Sequence, residues 1–174
     1  MTELLFRADP YLREAGAAII DVGGESTRPG AAAVWEGDEL KRVVPAIERL
    51  AAMGAAISTD TRRPAVMEAA LAAGAHIIND VSGLSDAKMI HFLKESSCQY
   101  ILMHSSGVPA DPKVTLTSHD SVAVVKEWAL GRLAALKAAD ISFDRIFFDP
   151  GIGFGKTPQQ SLALMLGAPE MVAS

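Results

Sequence analysis

Polar residues of a restricted kind stand at five places in this chain, each directly after a short apolar run. Asp21 follows AAII, Asp60 with Thr61 follows AAIST, Asn79 follows HII, His104 follows QYILM, and Asp149 follows RIFF. One such residue can cap the next helix or shape a turn, but capping alone needs no such uniformity. Asp60, Asn79 and Asp149 together offer two carboxylates and an amide. A carboxylate takes two adjacent N–H donors and an amide pairs with donor or acceptor, so the set suits the edge of a flat nitrogen heterocycle. A carboxylate pair for glycoside hydrolysis competes with this reading. Aromatics are only 6% of the chain, however, and just Phe147 and Phe148 flank these carboxylates, so a sugar platform is lacking. His76, His91, His104 and His119 have no i, i+4 pairing, and the residues themselves indicate no metal site.

Two loops carry further chemistry. Asp149–Thr157 (DPGIGFGKT) resembles a phosphate loop only superficially: Pro150 stands where GxxxxGK[ST] requires glycine, and Lys156 stands where GxGxxG requires one. Three alternate glycines after a strand instead predict close approach of backbone to a ligand or a neighbouring loop. Gly23–Ala31 (GGESTRPGA) sets Ser26, Thr27 and Arg28 before a Pro-Gly turn. Hydroxyls and a guanidinium there could grip an anion; a plain surface loop is the alternative.

The elements that would position these residues alternate regularly. Strands are predicted at Ala17–Asp21, Ala55–Asp60, His76–Val81, Gln99–His104 and Arg145–Asp149. Helices are predicted at Glu39–Ala52, Pro64–Ala73, Ala87–Glu95, Asp120–Ala139 and Pro158–Leu166. Val43, Val44, Ile47, Leu50 and Ala51 face inward on the first, and Val122, Val125, Trp128, Leu133 and Leu136 on the fourth. Pro64 suits a first helical position and Gly74 a helix stop. Five βα repeats imply a parallel α/β sheet with right-handed crossovers, whose strand C-termini share one rim where ligands bind.

Composition narrows the class of protein. The 174 residues carry 16 Lys+Arg against 21 Asp+Glu, a net charge of −5, with 49% hydrophobic residues and one cysteine. These values exclude a disordered chain, an internal disulfide and a cysteine zinc site, and they give no basic stripe for nucleic acid. The N-terminus lacks a signal-peptide pattern and no apolar run reaches the ~20 residues of a membrane span. A cytoplasmic protein that binds neither nucleic acid nor membrane is expected, with residues 1–174 forming one domain.

The segments Ile19–Ala31 (IIDVGGESTRPGA), Ser58–Thr61 (STDT), Ala73–Leu84 (AGAHIINDVSGL), Leu102–His104 (LMH) and Asp149–Lys156 (DPGIGFGK) resemble, in order and spacing, the dihydropteroate synthase family. The resemblance implies a (β/α)8 TIM-barrel fold of which about five of the eight βα units lie in this chain. It implies condensation of 6-hydroxymethyl-7,8-dihydropterin pyrophosphate with p-aminobenzoate and release of pyrophosphate, in a family that is the target of sulfonamides. Asp60, Asn79 and Asp149 would then bind the pterin and act in catalysis, with Met103 against the ring and Gly153 beside it. Thr27 and Arg28 would serve the pyrophosphate side. Arg28, Pro29, Gly153 and Phe154 would shape the p-aminobenzoate pocket, while Asp21, Thr61, His104 and Lys156 complete the rim. Mg2+ and a homodimer are further implications of the family.

The match also departs from the family. No position corresponds to the first-strand asparagine linked to pyrophosphate and Mg2+, nor to the later serine–arginine–lysine and arginine-x-histidine segments. Ser105–Ser106 replaces a frequent Met-Gln. A complete barrel takes about 250 residues, so these 174 alone are expected to turn over weakly or not at all. A methyltetrahydrofolate-type pterin-binding methyltransferase, which would depend on a corrinoid partner, and a non-catalytic interaction fragment are the alternatives.

Overall fold

The computed structural model describes residues 12, 15–28, 30–108, 111, 113–118 and 120–172. Five strands form one parallel sheet in sequence order: β1 (Ile20–Gly23), β2 (Ile57–Asp60), β3 (Ile77–Asp80), β4 (Gln99–Met103) and β5 (Ile146–Asp149). Helices α1 (Glu36–Ala52), α2 (Pro64–Ala73), α3 (Lys88–Glu95), α4 (Ser121–Ala138) and α5 (Pro158–Val172) follow the strands one by one. The predicted βα alternation is therefore observed throughout. Pro64 opens α2 and Gly74 ends it in the left-handed conformation at φ 111°, where glycine avoids the steric clash of a Cβ.

Register divides the sheet into two unlike faces. Val22, Thr59, Ile78, Tyr100 and Ile146 align across the strands and point toward the helices, since residues in one row share a face. Beneath α1 and α2, Ile20, Val22 and Ile57 pack with Val43, Ile47, Leu50, Val66 and Ala70. Beneath α3 and α4, Ile78, Tyr100 and Leu102 pack with Met89, Phe92, Leu93 and Leu136, and Leu71 joins both clusters. Burying one such aliphatic side chain contributes about 1.5–3 kcal/mol, so this layer anchors the strands. Val125 and Leu136 are fully buried as expected, while Val44, Val122, Trp128 and Leu133 are only half-buried.

Element boundaries differ from expectation mainly at the first strand, which begins at Ile20 and runs to Gly23 rather than spanning Ala17–Asp21. Pairing decides this, because Ile20 aligns with Ile57 and Gly23 with Asp60, while Ala17, Ala18 and Ile19 are exposed. Asp21 thus lies within the strand, not at its end. The first helix starts three residues early at Glu36, with Glu36, Asp38 and Glu39 in its first turn, where acidic side chains favour the helix dipole. The last helix continues through Pro169 to Val172.

Candidate functional site

The sheet face away from the helices carries the chemistry. Gly23, Asp60, Asn79, Ile101 and Phe147 form one row across it; Asp21 and Ser58 lie two residues below, and Met103 and Asp149 two residues above. Asp60, Asn79, Met103 and Asp149 therefore share one face over β2 to β5, about three inter-strand spacings of ~4.8 Å. Asn79 Nδ2 donates to Asp21 Oδ2 at 3.3 Å, and Ser58 Oγ donates to Asp21 Oδ1. Gly151 N donates to Asp149 Oδ1 at 2.7 Å. Asp60 Oδ1 and Asn79 Oδ1, in contrast, are buried with no partner among the described residues. Two neighbouring acceptors with no donor are what a ligand bearing adjacent N–H groups would satisfy.

Electrostatics sharpen this face. Burial, then the carboxylates of Asp21, Glu39, Asp80 and Glu25, pushes Asp60 up to about 7. Such a group is poised between donor and acceptor near neutral pH. A ring that brings N–H donors or gains positive charge would draw it to the ionised form. Met103, only 3% exposed, supplies a polarisable sulfur on the same face.

A four-residue ion network, not anticipated from the sequence, holds the Gly23–Ala31 loop. Arg62 Nε and Arg63 bond the Glu25 carboxylate at 2.6 and 3.0 Å, and Arg63 also pairs with the fully buried Glu39. Val34 N donates to Glu25 Oε1 at 2.8 Å, and Arg63 donates to Val34 O at 2.6 Å. Burial opposes ionisation of Glu25, yet the hydrogen bonds from Arg62, Val34 and Arg63 outweigh it and hold the group at about 2. The network pins both ends of the loop. Thr27, half-buried, and Arg28, exposed, lie on the span between, and Pro29 lies outside the described residues. In the sequence only the consecutive Arg62–Arg63 pair after Asp60 and Thr61 hints at buried charge there, and nothing local names Glu25 as its partner.

The remaining rim residues divide by role. Thr61 Oγ1 donates to Glu39 Oε1 at 2.6 Å, on the helix side of the sheet. His104 stacks edge-on against Trp128 with ring centroids 4.9 Å apart, also on that side. Lys156 is buried, and its Nζ lies 2.9 Å from His104 Nδ1 and 3.1, 2.8 and 3.0 Å from the carbonyls of His104, Gly151 and Phe154. Burial draws Lys156 down to about 8 against the pull of Asp149. Burial and the Lys156 charge lower His104 to about 4, so its neutral ring accepts from the ammonium. These three side chains act within the scaffold, without reaching the row of Asp60 and Asn79.

The alternate glycines serve two purposes. A Cβ at Gly151 would fall 1.8 Å from His104 O, and one at Gly155 would fall 2.4 Å from Ser106 Cβ. A Cβ at Gly153 meets nothing within 4 Å, and Gly153 is exposed beside half-buried Phe154. Two glycines thus admit the neighbouring loop, and the middle one presents open backbone.

The family resemblance implies Mg2+. Among the described residues no group of three or more His, Cys, Asp or Glu side chains could hold an ion. Mg2+ needs only one or two protein carboxylates beside water and substrate phosphates, and no chemistry is routed through it.

A parallel α/β sheet whose inner face bears unpartnered Asp and Asn acceptors offers a surface suited to a flat ring rich in N–H groups. Residues 3–173 match the pterin binding enzyme family, and the chain belongs to it. Similar proteins include dihydropteroate synthases. That of Mycobacterium leprae is 43% identical over 161 residues, covering 91% of this chain and 57% of the relative. A Xanthomonas albilineans dihydropteroate synthase solved with 4-aminobenzoic acid superposes with a TM-score of 0.90 at 38% identity, over 99% of this chain and 61% of that one. A Burkholderia cenocepacia dihydropteroate synthase complexed with 7,8-dihydropteroate gives 0.88 at 36% identity, over 98% and 61%. The chain spans about three fifths of the length of these relatives. Its five βα units are those of the (β/α)8 barrel class expected from the sequence. Among the described residues no helix is long and apolar enough to cross a membrane.

Proposed function

We propose that this chain carries the pterin-binding part of a dihydropteroate synthase site, in which 6-hydroxymethyl-7,8-dihydropterin pyrophosphate condenses with p-aminobenzoate. The observation that carries the reading is the pair of buried, unpartnered acceptors Asp60 Oδ1 and Asn79 Oδ1 on one row of the sheet. The named relatives, and the solved complexes with 4-aminobenzoic acid and 7,8-dihydropteroate, support it. In this proposal Asp60, Asn79 and Asp149 take the pterin's N–H and carbonyl edge, and Met103 lies against the ring. Thr27 and Arg28 face the pyrophosphate side, and Gly153 and Phe154 adjoin the arylamine. The single Cys98, buried and free, accords with a reducing cytoplasmic setting.

The chemistry follows from the charges. The bond between the pterin methylene carbon and the pyrophosphate oxygen breaks, and its electron pair leaves with pyrophosphate. The amine nitrogen donates its lone pair to that carbon and sheds a proton to solvent. Positive charge that develops on the pterin is stabilised by the Asp60 and Asp149 carboxylates at its edge, which act more strongly where water is excluded.

Binding of 6-hydroxymethylpterin, followed by its fluorescence, tests the assignment together with formation of dihydropteroate from the two substrates. Asp60→Asn, Asn79→Ala and Asp149→Asn should each weaken pterin binding about 10- to 100-fold, the loss expected when a buried hydrogen-bond partner is removed. Unchanged affinity in all three variants sinks the assignment.

A further inference from the structure

Arg132 on α4 is a cation without an evident counterpart. Its Nε is buried with no hydrogen-bond partner, and its guanidinium lies 5.6 Å from the Trp128 ring centroid. Among the described residues no carboxylate pairs with it. A guanidinium has five N–H donors and stays charged throughout the physiological range. Burying part of it unpaired is unfavourable.

The same side chain lines a cavity of about 290 Å³, whose wall also carries Arg62, Ser82, Ser85, Ser105 and Ser106. The cavity lies where the loops after β2, β3 and β4 meet α4. Trp128, which closes one wall, packs against His104 and Phe148. Phe148 shares the register of Asp80 and Leu102, so this is the helix side of the rim, opposite the face of Asp60 and Asn79.

The donors in the wall select the ligand. Ser82 gives its proton to Asp80 at 2.6 Å, Ser105 to Gly107 O at 2.6 Å, and Ser106 to Gly155 O at 3.2 Å. Arg62 commits Nε and one terminal nitrogen to Glu25 at 2.6 and 3.2 Å. The uncommitted donors are Arg132, the other terminal nitrogen of Arg62, and the Ser85 hydroxyl. Among the described residues no carboxylate lines the cavity. A cation is repelled by this wall, and an apolar ligand satisfies none of its donors. A planar carboxylate offers only two oxygens, whereas a tetrahedral oxyanion can accept from two guanidiniums and a hydroxyl arriving from three elements.

We propose that this cavity binds a phosphate-class oxyanion through Arg132, Arg62 and Ser85, at a site separate from the pterin-facing side of the sheet. Its volume leaves room for a small phosphomonoester as well as for free phosphate.

Trp128 provides the readout. The chain has two tryptophans, and Trp35 is 69% exposed, so a Trp35→Phe background leaves the cavity indole alone. Inorganic phosphate and glycerol 3-phosphate are titrated against chloride at matched ionic strength. The expected result is a saturable change in Trp128 emission, weakened at least tenfold by Arg132→Gln and severalfold by Ser85→Ala, and unaffected by saturating 6-hydroxymethylpterin. Tighter binding of glycerol 3-phosphate identifies an ester as the ligand; equal or tighter binding of phosphate identifies the free ion. A non-saturating response in the parent overturns the proposal, as does affinity within twofold of the parent in Arg132→Gln, or mutual exclusion with the pterin. Should Arg132→Gln lose its far-ultraviolet circular dichroism, Ser85→Ala decides alone: undiminished affinity there overturns the site.

Discussion

Asp60 is held near 7, against an ordinary value of 3.8, first by burial and then by its acidic neighbours. Between those values the folded chain binds a proton that the unfolded chain releases. The contribution of this group to stability is therefore complete below about pH 3.8 and is lost as the pH rises through about 7. A shift of that size corresponds to at most about 4 kcal/mol. Asp60→Asn keeps the side chain neutral, so its urea-unfolding stability should decline less than that of the parent between pH 4 and 8. Parallel declines would show that Asp60 ionises normally. The position of this residue was legible in the sequence because an apolar run marks its strand, as it does for Asn79 and Asp149. Glu25 and its partners Arg62, Arg63 and Glu39 were not legible as a network. Glu25 and Arg62 stand 37 residues apart, and local spacing has no information on which loop folds over which helix.

The loop between β5 and α5 is the element on which the site's geometry most depends. His104 N donates to Asp149 O at 2.9 Å, Gly151 N holds Asp149 Oδ1, and Lys156 ties His104 to the carbonyls of Gly151 and Phe154. Lys156→Met removes the donor from three backbone carbonyls at once, a loss of about 3 kcal/mol or more. Thermal unfolding should show it, and pterin affinity should fall as Asp149 loses its fixed position. Unchanged stability would mean that water replaces the ammonium without loss. Gly151→Ala should disturb the same loop, since it opposes both a φ of 67° and the His104 carbonyl. The glycine spacing correctly predicted a close approach of chain segments. The role of Lys156 escaped, because only the folded-back loop turns its ammonium inward. The limits of β1 escaped for a related reason: Ala17–Ile19 are apolar enough to extend the strand, and only pairing with β2 excludes them.

At the scale of the whole molecule, the sheet's two sides and its edges are unequal. β2, β3 and β4 pair on both sides, whereas β1 and β5 each pair once among the described residues. Ile57, Ile78, Tyr100 and Leu102 on the central strands are at most 2% exposed, while Phe147 on β5 is 50% exposed. Local opening free energies track such differences in burial and pairing. Amide exchange should therefore be slowest in β2 to β4 and markedly faster in β5. The proposed pterin contacts reach from Asp60 on β2 to Asp149 on β5, so a bound pterin would bridge the protected centre and the weakly held edge. Anything that binds only the ordered arrangement stabilises it by mass action. At 100 times its dissociation constant, 6-hydroxymethylpterin should slow exchange at residues 146–149 by about 100-fold, up to the limit set by global unfolding, the same arithmetic as ~2.7 kcal/mol. Hydrogen–deuterium exchange of the Asp149→Asn variant supplies the contrast. If the ligand still binds there but β5 gains no protection, the edge strand is held through Asp149; protection that survives the substitution places the bridge on Met103 and the loop behind it.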